Sequence, residues 1–238
     1  MNKILPVIWI SLLLFSCERY TPGTCEALKL SGSNRVQLEK VLQHYSSPAD
    51  SLKLQAALFL IENMPGHYTL RGDKIDLFRQ AIDQDTTCSY YYKKLYEITL
   101  DHFITEDKNV RHEEDVEHIT ADFLIRHIDA PFDLAREQKL LDILPFDLFL
   151  EHVLPYRFEH ERLDLWRDSL QVIFEEKPTG VFSLNFSKLQ SYFKLKGDKK
   201  YHPDAICNLL KQNPFGDCYF IAYNAMLERR SLGIPVIV

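Results

Sequence analysis

The sequence predicts a mainly α-helical protein, with a helical N-terminal domain followed by a second segment of mixed α and β character. Three observations predict this. Apolar residues recur at three- and four-residue offsets in successive windows up to about residue 176. Breakers rich in proline and glycine, Met64-Pro65-Gly66 and Lys177-Pro178-Thr179-Gly180, punctuate those windows. Beyond the second breaker come a glycine turn, a cysteine, an apolar-striped helix and a β-branched run, Ile234 to Val238. At 238 residues and 46% hydrophobic, the chain has material for a core, which argues against disorder.

Residues 1–16 read as a secretory signal: Lys3 supplies positive charge and Ile4 to Phe15 is a nearly unbroken apolar run. The run is shorter than the roughly 20 apolar residues a bilayer span needs, so cleavage is expected rather than an anchor helix. Leu14-Phe15-Ser16-Cys17 resembles the bacterial lipobox, which implies diacylglycerol on Cys17 and a mature chain beginning there. The implied localisation is the cell envelope, anchored by lipid to a bacterial membrane, with the outer membrane expected. The membrane is then a partner through acyl chains worth about 0.8 kcal/mol per buried methylene. Residues 17–33, short of large apolar side chains and carrying Pro22, Gly23 and Gly32, read as a lipidated, flexible tether.

The helical domain is expected over 34–176. Val36, Leu38, Val41, Leu42 and Tyr45 make the first stripe, and Asp50 is placed to cap a second containing Leu54, Ala57, Leu58 and Ile61. Further helices are expected around Lys74 to Ile82, from about Ser89 to Ile104, from about Glu114 to Ile128, and from Asp129 with Pro131 in its first turn. Two more follow, Phe146 to Val153 and a segment spaced by Leu163, Trp166, Leu170 and Ile173. The run Arg111 to His118 places His and carboxylate residues at three- and four-residue offsets, but the solvated face of a helix explains it more simply than a metal site.

Lys177 to Gly180 is the expected domain boundary, with a partial core over 177–238. In it, Val181 to Phe186 reads as extended, Lys188 to Leu195 as a short helix, and Pro203 opens another. The segment Gly216-Asp217-Cys218-Tyr219-Phe220 then puts a cysteine in the first turn of a long helix. Free amides and the positive dipole end lower a thiol pKa there, and the thiolate is the nucleophile. Gly216 keeps the approach to the sulfur open, and Gly233 ends the helix.

Leu209-Leu210, Gly216-Asp217-Cys218, the helix, and Leu232-Gly233-Ile234-Pro235-Val236 follow one another in an order similar to the core of bacterial transglutaminase-like proteins. Leu60 to Tyr68, Ile119 to Ile125 and Val153 to Arg157 also resemble the helical region that precedes this core in lipoproteins of Bacteroides-type bacteria. The resemblance implies an α+β, papain-like fold of which residues 177–238 are the start and lack most of the sheet, and a Cys, His, Asp order of catalytic residues, of which only the nucleophile maps here, onto Cys218. None of the nine histidines follows it, and no aspartate does. Acyl transfer needs a proton acceptor and donor, so the chain is expected to be inactive by itself and to belong to a longer protein. His202 is the one upstream candidate for a substitute base, and Gln212 a weak candidate oxyanion donor.

Two readings follow. In the first, the full-length protein performs cysteine-dependent acyl transfer or amide hydrolysis on a protein, peptide or glycan-linked substrate. In the second, a non-catalytic envelope lipoprotein binds a peptide, glycan or protein, with Tyr90, Tyr91, Tyr92 and Tyr96 lining a face. No cofactor is expected. Zinc is not indicated, because the five cysteines show no C-x-x-C pair. Nucleic acid is not an expected partner, because 28 Lys+Arg against 34 Asp+Glu leave a net charge of -6 with no basic stripe. Ile234 to Val238, a strand without neighbours, is expected to fray.

Overall fold

A computed structural model of the chain describes residues 20–86, 89–98, 100, 109–176 and 218–236. In chain order the elements are α1 (Pro22–Leu30), α2 (Arg35–His44), α3 (Ser51–Glu62), β1 (Tyr68–Arg71), α4 (Asp73–Gln84), α5 (Tyr90–Ile98), β2 (Arg111–Glu114), α6 (Asp115–His118), α7 (Ala121–Glu137), α8 (Phe146–His152), α9 (Trp166–Glu176) and α10 (Cys218–Ser231). The protein is mainly helical, and among the described residues β1 and β2 form the one sheet, of two strands.

Two compact units result, Met1–His67 with Glu114–Ile125, and Tyr68–Glu113 with Arg126–Val238. In the first, α2 buries Leu38, Val41, Leu42 and the following Tyr45, an i, i+3, i+4, i+7 stripe that matches the expected one. The Tyr45 hydroxyl donates to the Ile125 carbonyl. α3 buries Ala56, Ala57, Leu60 and Ile61, and Gly66, at φ 86, turns the chain after it.

The segment 22–30, read from sequence as part of a flexible tether, is instead the helix α1. Pro22 occupies the first turn, where its missing N–H costs nothing, and the Thr21 side chain accepts from the Thr24 N–H. Small residues do the packing: Thr24 and Ala27 are 0% exposed and Leu28 1%. Gly23 lets the Glu62 side chain close over the helix start, since a Cβ there would lie 2.4 Å from Glu62 Oε1. The scarcity of large apolar residues thus reflects close helix contact.

Two further expectations are corrected. Arg111 to His118 is not one helix face but a strand followed by a four-residue helix. The Tyr68 ring lies parallel to the His112 and His160 rings at 3.7 and 4.0 Å between centroids. The helices expected over 114–128 and from Asp129 are instead broken at Ile119-Thr120 and then continuous through Pro131. The Thr120 hydroxyl accepts from the Phe123 N–H at the new start, which explains the break. Proline inside a helix removes one amide bond, and packing of Phe132, Leu134 and Ala135, all buried, outweighs that loss.

The second unit centres on Ile82, Leu95, Tyr96, Ile98, Trp166, Leu170, Tyr223, Met226 and Leu227, contributed by α4, α5, α9 and α10. The sequence-expected boundary at 177–180, the extended piece 181–186, and the helices at 188–195 and from Pro203 lie outside the described residues. So do residues 1–16, Cys17, His202 and Gln212. Helix α10, beyond that boundary, belongs to the second unit. Ile234 to Val236 is irregular rather than a strand, and Val236 and Leu232 pack against the core.

Candidate functional site

Cys218 is the first residue of α10, and at this position the backbone alone is described. The helix is held along its length. Tyr223, Met226 and Leu227 are buried against Trp166, Leu170, Leu95 and Tyr96. The Tyr223 hydroxyl donates to the Glu159 carboxylate in the irregular segment before α9. At the other end the backbone of Ile234 donates to Arg229 O at 2.8 Å and that of Gly233 to Arg230 O at 3.3 Å, around a Gly233 φ of 73°. This is the glycine-terminated end the sequence implies.

Two buried arginines brace that end. The Arg230 Nε donates to His152 O, and Arg167 donates to the carbonyls of Arg230, Val153 and Pro155. Carbonyls at helix ends carry partial negative charge, so guanidinium groups fit there without a carboxylate. Burial pushes the Arg167 pKa well down, with Arg230 adding to it, and lowers Arg230 to about 10. The Arg167 guanidinium also lies over the Trp166 ring, 4.4 Å from its centroid.

The second unit contains further buried charge that the sequence reading missed. Lys94 Nζ lies 3.6 Å from Glu161 and also pairs with Asp164, which accepts from the Tyr90 hydroxyl. Glu161 accepts from the backbone N–H of Phe158 and of Glu159 and lies 3.9 Å from Arg157. Burial raises the Glu161 pKa less than Lys94, Arg157 and these amides lower it. A second group joins Arg79, Glu97, Arg162 and Asp83, with Arg162 bidentate on Asp83 at 2.8 and 2.9 Å. A signal was present: Arg79 stands with Ile75 and Ile82 on the buried stripe of α4, where a charge needs a buried partner. These groups are largely saturated by protein partners and form a structural lattice rather than an open catalytic centre.

Of the tyrosines considered as a binding face, Tyr96 is core. Tyr96 is 1% exposed, and Tyr90 and Tyr91 are partly buried against the same cluster. His118 bonds through Nδ1 to the carbonyl of Glu114, and among the described residues no three His, Cys, Asp or Glu side chains are grouped to hold a metal. No helix among them is long and apolar enough to cross a membrane. Cys25 is disulfide-bonded. Comparison of the chain with protein-family models, with curated proteins and with solved structures finds no match.

Proposed function

We propose that this chain is an exported, lipid-anchored transglutaminase-like protein in which Cys218 is the nucleophile for acyl transfer or amide hydrolysis. The observation that carries the reading is the placement of Cys218 at the first position of a 14-residue helix rooted in a core and closed by Gly233. A helix start favours the thiolate, and a rooted helix keeps the sulfur from wandering relative to a base. The disulfide at Cys25 supports export, since such bonds persist in oxidising compartments. These 238 residues carry no histidine after Cys218, so they hold the nucleophile element without the base of the implied Cys, His, Asp order.

The test is the pH dependence of iodoacetamide alkylation at Cys218, followed by mass spectrometry on the folded chain, with Cys218→Ser as the blank. The expected result is reaction with an apparent pKa below the ordinary value of about 8.5. A Cys218 found oxidised, or titrating at the ordinary value, overturns the assignment.

A further inference from the structure

The start of α1 limits how far the folded body can stand from an acylated Cys17. Thr21 is the cap of α1 and is pinned in two ways: its hydroxyl donates to Glu62 Oε2 at 2.6 Å, and its side chain accepts from the Thr24 N–H at 3.1 Å. Glu62 is the last residue of α3, so this bond fixes the chain entry to the end of a second helix whose other residues are rooted in the core by Ala56, Ala57, Leu60 and Ile61. Four residue steps separate Cys17 from Thr21. At no more than about 3.6 Å per residue, a chain of four steps spans about 14 Å at full extension. A body tied this closely cannot be held clear of the bilayer whose acyl region receives the lipid.

We propose that the surface of the first unit around Thr21 and Glu62, with the exposed Asn63 beside Glu62, is a membrane-facing surface, apposed to phospholipid headgroups. This rests on the lipidation of Cys17 proposed above. Thr21, Glu62 and Asn63 are polar, so contact follows from the short covalent leash and these residues meet the headgroups through hydrogen bonds and charge. Glu62 at the contact disfavours insertion, and the protein sits on the membrane rather than in it. The consequence is that the first unit is oriented relative to the membrane by its own fold, which a long flexible tether would not do.

The test uses the acylated full chain on phosphatidylcholine vesicles, with carboxyl footprinting by a water-soluble carbodiimide and amine and readout at Glu62. It is compared with a variant carrying about 20 Gly/Ser residues inserted after Arg19, a spacer of about 25 Å mean reach. The expected result is labelling of Glu62 that is several-fold lower in the native chain than in the spacer variant, with equal labelling of both in detergent-free solution after removal of the acylated residues. Equal labelling on vesicles, in chains that float with the vesicles and carry acyl mass, overturns the surface and leaves the lipoprotein reading standing. An intact mass without acyl chains overturns both.

Discussion

His127 shows how a single residue ties stability to pH. Its imidazole is buried, donates through Nε2 to the Leu154 carbonyl at 2.7 Å, and packs against the Tyr156 and Trp166 rings. Burial, with Arg167 nearby, holds its pKa well below the usual value. In the unfolded chain the same ring titrates near 6.5, so below that pH the unfolded state takes up a proton that the folded state refuses. The contribution is absent at pH 7.5 and grows as pH falls toward the depressed folded value. At pH 5.5 it amounts to a loss on the order of 1 kcal/mol. Urea unfolding of the native chain and of His127→Gln at both pH values checks this: the variant is expected to lose less stability on acidification. A variant with an undiminished slope assigns the acid sensitivity to other groups. The residue was visible in the sequence, but its burial was not, because it follows Arg126 in a run that alternates charge and apolarity.

At the scale of elements, α10 leads directly into Ile234 to Val238, the segment the sequence predicts to fray. The structure roots α10 through Tyr223, Met226 and Leu227 and closes it at Gly233. Its terminus makes a specific prediction. A Cβ at Gly233 would lie 3.0 Å from Leu134 Cδ2, and the residue already holds a left-handed φ. Gly233→Ala is expected to cost about 1–2 kcal/mol from the backbone conformation, with the Leu134 contact adding to it. The denaturant midpoint, together with faster amide exchange at residues 229–234, reads this out. Unchanged exchange there would mean that the arginine braces alone hold the helix end. Helix periods, the stop at Gly66 and the stop at Gly233 were all legible as local signals. The strand at 111–114 and the helix that continues through Pro131 were not, because a short strand exists only by pairing with β1, and a proline is tolerated only where packing compensates.

For the whole molecule, the disulfide at Cys25 is a covalent restraint on the fold. Cys25→Ser is expected to lower stability by about 2–4 kcal/mol in non-reducing buffer, and the native chain should approach the variant when reductant is added. A native chain whose unfolding midpoint ignores reductant, or whose mature cysteines all alkylate without it, removes the bond from the account. Sequence alone determined that this is a helical protein with an apolar N-terminal run ending in a cysteine and a cysteine at a helix start, because those features are local: they depend on residue spacing, caps and breakers within a few turns. Only the tertiary structure decided that residues 22–30 are a packed helix, that Tyr96 is core, and that charges such as Lys94, Glu97, Glu161 and Arg167 are buried. Those outcomes turn on which distant residue supplies the partner, as Glu62 does for Thr21 and Asp164 for Lys94, and spacing along the chain does not encode that choice.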